Sequence, residues 1–135
     1  ASSDLATANA ARMCDAPVSF ADVDPLTGNV TVETLKAAVN VATFDVKAIA
    51  VVHLGGRPCD ITEIKDYADS IGACLIEDAC HALGAEYFYN NKTVKIGSCS
   101  HSDISIFSLH PLKSITTGEG GVVTTNSKKI DKLIK

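Results

Sequence analysis

The sequence predicts an α/β fold, in which a mostly parallel sheet is flanked by helices. Short apolar runs alternate along the chain with stretches of helical periodicity. Two of these runs, 48–53 and 73–78, are continuous, which is typical of strands buried on both faces of a parallel sheet. The chain has 135 residues, 46% of them hydrophobic and 21% charged, which suits one ordinary core. Residues 1–135 are therefore treated as one domain.

The first third of the chain predicts a strand, a turn and a helix. Residues 4–14 have the pattern of part of a βα unit. Residues 17–24 are predicted to form a strand, and the Pro and Gly of 25–29 a turn. A helix is predicted over 31–39, with Thr31 as its N-cap.

The middle of the chain predicts a second helix over 60–72. Asp60 with Glu63 three residues later matches a capping box, and Gly72 is a stop signal. The apolar residues of this segment share one face: Ile61, Ile64, Ala68 and Ile71. This face is expected to pack on the sheet.

The last part of the chain predicts further strands and one hairpin. Strands are expected at 73–78, 103–108 and 121–125. Residues 86–97 are predicted to form a hairpin that turns at Asn90-Asn91. An amphipathic helix is expected to begin at Ser127.

Charge and composition argue against several classes of function. The net charge is −4 without a basic face, which argues against nucleic-acid binding. No apolar run is long enough to span a membrane, and the first residues do not resemble a secretory signal. The five cysteines are scattered without CxxC pairs, which favours reduced thiols over a metal site and predicts a cytoplasmic protein.

Polar side chains follow two of the predicted strands, where ligands gather in open α/β sheets. Asp78 ends the apolar run 73–78 and His81 follows it; Ser108 ends the run 103–108 and Lys113 follows it. A carboxylate at the end of an apolar strand is costly without a cationic or N–H partner.

These side chains match the needs of pyridoxal phosphate. Asp78 suits a protonated pyridine nitrogen, and Lys113 can form a Schiff base with the aldehyde. Ser108 and the glycine-rich loop after Lys113 can offer a hydroxyl and backbone N–H groups to a phosphate. Alone, each residue has an ordinary structural explanation, as a cap, a turn residue or a solvated charge. Their combination in this order favours the cofactor.

Four blocks of the sequence resemble one family. "EDACHALGAEY" (77–87) and "FSLHPLKSITTGEGGVVTTN" (107–126) are similar to two signature blocks of the DegT/DnrJ/EryC1/StrS sugar aminotransferases. Residues 6–29 and 50–64 resemble two more. The resemblance implies a pyridoxal-phosphate enzyme with the aspartate-aminotransferase fold (fold type I), of which this chain is part of the large domain.

The resemblance also implies a role for each candidate residue. Asp78 matches the aspartate that pairs with the pyridine nitrogen, and His81 a position near the phenolic oxygen of the cofactor. Ser108 matches the serine on the phosphate, and Lys113 the Schiff-base lysine.

The block from Thr116 to Gly121 resembles that of enzymes that aminate carbon 4 of a keto sugar. The implied substrate is a nucleotide-linked 4-keto-6-deoxy sugar, as on the route to pseudaminic acid, with glutamate as the amino donor. The resemblance further implies a homodimer with active sites shared across the interface.

The chain departs from the family in two respects. The upstream phosphate-binding block and the C-terminal small domain of the family have no counterpart here. Asp4 also stands where family members carry an aromatic residue that stacks on the cofactor ring. Two interpretations therefore stay open: the central part of a working transaminase, or a module that keeps the fold without turnover.

Overall fold

The structure is a computed structural model that describes residues 5–135. In that range the helices are α1 (Leu5–Met13), α2 (Val32–Val41), α3 (Ile61–Ser70) and α4 (Lys128–Ile134), with a 3-10 turn at Leu54–Gly56. The strands are β1 (Ala48–Val52), β2 (Cys74–Asp78), β3 (Glu86–Tyr89), β4 (Lys92–Lys95), β5 (Ile104–Ser108) and β6 (Gly121–Thr124). Within these described residues, no helix has the length and apolar character that crossing a bilayer requires.

The main sheet has the strand order β1-β2-β5-β6. The pairs β1–β2 and β2–β5 are parallel, whereas β6 runs antiparallel to β5. The prediction of a mostly parallel sheet is therefore confirmed. The strands β3 and β4 form the predicted hairpin apart from this sheet. Asn90 and Asn91 at its turn both have positive φ, 48° and 59°, as a two-residue hairpin turn requires.

The hydrophobic core lies on one face of the sheet, between β1, β2 and the helices α2 and α3. Its buried residues are Leu35, Ile49, Val51, Cys59, Ile61, Ile64, Ala68, Ala73 and Leu75. The expectation that 48–53 is buried on both faces is wrong, because Ala48 and Ala50 on the opposite face of β1 are exposed. In the described residues, both packed helices lie against the same face of the sheet.

Residues 17–24 do not form the predicted strand. A strand exists only through pairing, and no strand of residues 5–135 is paired with this segment. The predicted turn that follows is present. Gly28 donates its N–H to the carbonyl of Asp24 at 2.8 Å, and the Asp24 carboxylate accepts the N–H groups of Leu26 and Thr27.

The two predicted helix caps have different outcomes. Thr31 caps α2 as expected: its hydroxyl accepts the N–H of Thr34 at 3.3 Å, and the Thr34 hydroxyl accepts the N–H of Thr31 at 3.0 Å. The capping box at Asp60 and Glu63 is wrong, because the Asp60 side chain makes no capping hydrogen bond. With ψ at 67°, Asp60 lacks the extended backbone that usually turns an N-cap side chain toward the helix.

Candidate active site

The candidate site lies at the carboxyl ends of β2 and β5. Asp78 is the last residue of β2 and is paired with Ile106 of β5, two residues before Ser108. Because side chains alternate along a strand, Glu77 and Phe107 face the covered side while Asp78 and Ser108 face the opposite side. The predicted strand-end positions of Asp78 and Ser108 are confirmed.

The carboxylate of Asp78 is half-buried and accepts hydrogen bonds from two directions. The hydroxyl of Thr7 in α1 donates to Oδ2 at 2.6 Å, and the backbone N–H of Cys80 donates to Oδ1 at 3.2 Å. Burial alone would raise the pKa of Asp78. The hydrogen bonds from Cys80 and Thr7, with the nearby charge of His81, outweigh burial and hold that pKa below its usual value. The side chain is therefore ionised at neutral pH.

The thiol of Cys80 is near enough to both Asp78 and Lys113 for their charges to affect its pKa. Burial raises the pKa of its thiol to about 11, and the hydrogen bond and charge of Asp78 add to this effect. The charge of Lys113 and a backbone hydrogen bond from Ser108 act in the opposite direction. Both charges thus act on one sulfur atom. Asp78 ends β2, Ser108 ends the neighbouring parallel strand β5 and Lys113 follows in the loop after β5, so all three lie at the same edge of the sheet.

Lys113 is half-buried in the loop that joins β5 to β6. Its backbone N–H donates to the carbonyl of His110 at 2.9 Å, which forms a turn at the lysine. Leu109 closes the base of the loop: its N–H donates to the Gly120 carbonyl at 2.9 Å. The Leu109 carbonyl accepts the hydroxyl of Thr116 at 2.9 Å. The loop is thus held by its own threonine and glycine residues.

Two of the backbone N–H groups that the sequence offers to a phosphate are used within the glycine-rich loop itself. The N–H of Thr117 already donates to the Leu109 carbonyl at 3.1 Å, and that of Gly118 to the Thr116 hydroxyl at 2.9 Å. The loop uses these donors to close on itself. Ser108 differs, because its oxygen accepts the His110 N–H at 3.3 Å and its own proton can be given to a ligand.

His81 is exposed in the turn that follows β2, close enough to Asp78 for its charge to favour ionisation of the carboxylate. The 3-10 turn after β1 packs directly against this residue. Gly56 has a φ of 86°, and a Cβ added there would lie 2.8 Å from the carbonyl oxygen of His81. Only glycine suits both this backbone conformation and this close approach. Asp4, the residue at the expected stacking position, lies outside the described residues.

Sequence reasoning missed Thr7, which contacts Asp78 across 71 residues. It also missed a buried polar cluster directly behind Asp78. Nε2 of His53 lies 2.8 Å from Oε2 of Glu77. The hydroxyls of Ser105, at 2.6 Å, and of Ser102 both donate to Oε1. One signal was available: a glutamate inside the apolar strand 73–78 requires buried partners.

Glu77 is ionised in spite of its burial. Burial would raise the pKa of its carboxyl, but the hydrogen bonds from His53, Ser102 and Ser105 outweigh that effect and hold the pKa below its usual value. The backbone N–H of Cys59 donates to Nδ1 of His53 at 3.1 Å. The proton on the imidazole therefore lies on Nε2 and is donated to Glu77.

Comparison with known proteins gives consistent matches. The model of the DegT/DnrJ/EryC1/StrS aminotransferase family matches residues 2–135. A UDP-4-amino-4,6-dideoxy-N-acetyl-beta-L-altrosamine transaminase from Campylobacter jejuni subsp. jejuni serotype O:23/36 (strain 81-176) is 44% identical over 130 residues. This alignment covers 96% of the chain but 33% of that relative, so the chain spans about a third of its length.

Solved structures agree with the sequence matches. The X-ray structure of an aminotransferase from Psychrobacter cryohalolentis superposes with a TM-score of 0.82 and 34% identity, over 94% of this chain and 30% of that one. The NtdA protein of Bacillus subtilis, solved with bound cofactor PMP, superposes with a TM-score of 0.78 and 26% identity, over 96% of this chain and 27% of that one.

These structures confirm the predicted fold class, the type I fold of pyridoxal-phosphate-dependent aminotransferases, of which the described residues form a part. The family model covers nearly the whole chain, including the two blocks that contain Asp78 and Lys113. The chain belongs to the DegT/DnrJ/EryC1/StrS aminotransferase family.

Proposed function

We propose that residues 1–135 are the central part of the large domain of a longer nucleotide-sugar aminotransferase, called the full-length protein below. The observation that carries the proposal is the position of an ionised Asp78 at the end of β2 and of Lys113 in the loop after β5, the neighbouring parallel strand. The 44% identity to a transaminase of a UDP-linked amino sugar supports it.

The residues at this edge suit pyridoxal phosphate in their chemistry. A half-buried carboxylate that stays ionised is the partner that a protonated pyridine nitrogen needs. A half-buried lysine amine is suited to the aldehyde, and a serine hydroxyl with a free proton to the phosphate. The bound PMP of the similar Bacillus subtilis structure supports the same choice.

When bound, pyridoxal phosphate withdraws electrons from the carbon atom that exchanges a proton. The side chains of this chain provide the remaining functions. Asp78 would keep the ring nitrogen protonated, Ser108 would donate to the phosphate, and His81 would stand on the side of the phenolic oxygen. Lys113 would hold the aldehyde and, as a free amine, would move the proton at the substrate carbon.

The proposed substrate is a nucleotide-linked 4-keto-6-deoxy sugar, which receives an amino group at carbon 4 from glutamate. The block from Thr116 to Gly121 and the Campylobacter jejuni transaminase support this choice. We further propose that the full-length protein is a cytoplasmic homodimer with active sites at its interface.

The attachment of the cofactor tests the proposal directly. The full-length protein is mixed with pyridoxal phosphate, treated with borohydride and digested for peptide mapping. We expect the pyridoxyl mass on the peptide that contains Lys113, and no mass on that peptide in Lys113→Ala. Labelling of Lys92 or Lys95 with Lys113 unmodified would overturn the assignment of the site.

The substrate is tested with the same protein. Glutamate and a UDP-linked 4-keto-6-deoxy-N-acetylamino sugar should give 2-oxoglutarate and a sugar that gains its amino group at carbon 4, as detected by NMR. Lys113→Ala is the control and should give neither product. Amination at carbon 3, or no amination with any nucleotide-linked keto sugar, would contradict the proposed substrate.

A further inference from the structure

A buried polar pair lies directly behind the candidate site, and the chemistry proposed above does not use it. His53 has 0% and Glu77 3% of its surface exposed. An ionised carboxylate inside a core is very costly unless it is fully hydrogen-bonded. A chain that needed only a packed strand at this point would have an apolar residue there. The question is what this pair does for the residue beside it, Asp78.

The pair is connected, through Ser105, to side chains of three neighbouring strands. Glu77 belongs to β2, Ser105 to β5, and His53 follows the last residue of β1. The ring of His53 and the hydroxyl of Ser105 therefore hold the Glu77 carboxylate from both neighbouring strands, at 2.8 Å and 2.6 Å. We call these three side chains the crossbar.

His53, one residue of the crossbar, also forms a hydrogen bond with the main chain of Asp78. The backbone N–H of His53 donates to the Asp78 carbonyl at 3.2 Å, so one residue holds Glu77 by its ring and Asp78 by its amide. On the other side, the N–H of Ala79 donates to the Ile106 carbonyl at 2.8 Å. Strand ends fray most easily, and these bonds fix the last residue of β2 in place.

The hydrogen-bond partners of the crossbar determine which atoms carry the protons. Nδ1 of His53 accepts the N–H of Cys59, so Nε2 carries the proton and donates it to Glu77. The hydroxyls of Ser102 and Ser105 donate to the other oxygen of Glu77. All of these donors point at the carboxylate of Glu77. An ionised carboxylate can accept all of their hydrogen bonds, whereas an apolar side chain can accept none.

We propose that His53 and Glu77 are positioning residues that fix Asp78 so that its carboxylate meets the ring nitrogen of pyridoxal phosphate. This inference rests on the proposed function. Neighbouring side chains of a strand point to opposite faces, so a Glu77 locked to the covered face orients Asp78 to the other one. The alternative is a pair that stabilises the core and has no effect on the cofactor.

The test uses variants of the full-length protein that differ in the hydrogen bonds they keep. Glu77→Leu preserves volume but leaves the ring of His53 and both hydroxyls without an acceptor. Glu77→Gln can accept from His53 and donate to the serine hydroxyls, which rotate freely. Ser105→Ala removes one hydrogen bond and serves if Glu77→Leu does not fold.

Asp103→Leu is the matched control. Oδ2 of Asp103 accepts the N–H of Leu75 at 2.8 Å, at the opposite end of β2 from Asp78. This variant therefore removes a hydrogen bond at the amino end of the same strand, together with the ion pair between Asp103 and Lys65. For all variants, the melting temperature of the protein without cofactor is compared with the Kd for pyridoxal phosphate and the absorbance maximum of the bound cofactor.

We expect Glu77→Leu to weaken pyridoxal phosphate binding about tenfold, which is the lower end of the loss seen when the outer partner of a metal ligand is removed. The absorbance maximum of the bound cofactor should also shift in Glu77→Leu. Ser105→Ala should change the Kd and the absorbance maximum in the same direction. Glu77→Gln should have the Kd and absorbance maximum of the natural protein. Asp103→Leu should lower the melting temperature and leave both unchanged.

The inference would be overturned if Glu77→Leu had the same Kd and spectrum as Asp103→Leu. Ser105→Ala takes the place of Glu77→Leu if that variant does not fold. Either result would leave the proposed function intact. A natural protein that binds no pyridoxal phosphate would overturn the proposed function and this inference with it.

Discussion

Thr7 is one of the two residues whose hydrogen bonds hold the pKa of Asp78 down: its hydroxyl donates to Oδ2 at 2.6 Å. Thr7→Val keeps the shape and removes the donor. A hydrogen bond to a charged group contributes about 1.5–3 kcal/mol, so we expect the free energy of unfolding to fall by roughly that amount. The pKa of Asp78 should rise, since one of the bonds that lower it is gone.

Chemical denaturation and carboxyl NMR titration of the full-length protein measure these two effects. Thr43→Val, at an exposed position, is the control and should change neither. An unchanged Asp78 titration in Thr7→Val would show that the contact has no electrostatic role.

His81 is exposed and acts on Asp78 through charge. We expect His81→Gln to leave the Kd for pyridoxal phosphate within about threefold of the natural value, because glutamine keeps one donor at a similar place and exposed charges contribute about 0–1 kcal/mol. A spectrophotometric titration of the full-length protein measures this. Complete loss of binding would mean that the imidazole has a further role at the cofactor.

The sequence predicts those site residues that end apolar runs or follow them in the next loop. Asp78 and Ser108 end such runs and Lys113 follows Ser108, and the carboxyl ends of neighbouring parallel strands meet at one edge. Thr7 has no such signature, since its contact depends on how α1 docks. The pairing of His53 with Glu77 likewise depends on the register of β1 with β2, which the sequence does not contain.

The 3-10 turn after β1 provides the test at the level of elements. Gly56→Ala combines an unfavourable left-handed backbone, which costs about 1–2 kcal/mol, with a contact at 2.8 Å to the carbonyl of His81. We expect the free energy of unfolding to fall by more than this and pyridoxal phosphate binding to weaken, because the turn after β2 must move.

Gly55→Ala is a matched control for this prediction. Gly55 has a φ of 62°, but an added Cβ would meet no atom within 4 Å. Equilibrium denaturation of both variants separates backbone strain from the contact. If Gly55→Ala and Gly56→Ala lose the same stability and bind the cofactor equally, the contact with His81 has no consequence.

Elements with strong local signals match the prediction, and those that need a partner do not. The helices α2 and α3 have an apolar stripe that the sequence shows directly, and the hairpin has its Asn90-Asn91 turn. Residues 17–24 have the composition of a strand, but pairing decides whether a strand forms. The predicted capping box of α3 is absent because the backbone angles of Asp60, φ −72° and ψ 67°, are not the extended ones of a capping residue.

At the scale of the whole molecule, Glu77 makes the stability of the fold depend on pH. Its folded-state pKa is held below the ordinary value of 4.5, so the ionised form stabilises the fold above about pH 4.5. As the pH falls through the lower folded-state pKa, that contribution is lost. We expect the unfolding free energy of the natural protein to fall more steeply below pH 4.5 than that of Glu77→Gln.

Urea denaturation between pH 3 and pH 7 measures this difference. Glu63→Gln is the control for the removal of one carboxylate, because the Glu63 side chain is exposed on α3. Parallel curves for the natural protein and Glu77→Gln would contradict the assigned role of the ionised Glu77.

The contact between Thr7 and Asp78 has a consequence for how the chain acquires its site. During synthesis, α1 leaves the ribosome 71 residues before its partner aspartate. The helix has no buried residue of its own to hold it in the meantime. Contacts between such distant residues form slowly, because the entropy of closing the intervening loop must be overcome first. We therefore expect the surroundings of Asp78 to be completed late in folding, so that binding of a ligand there would show that the sheet has already formed.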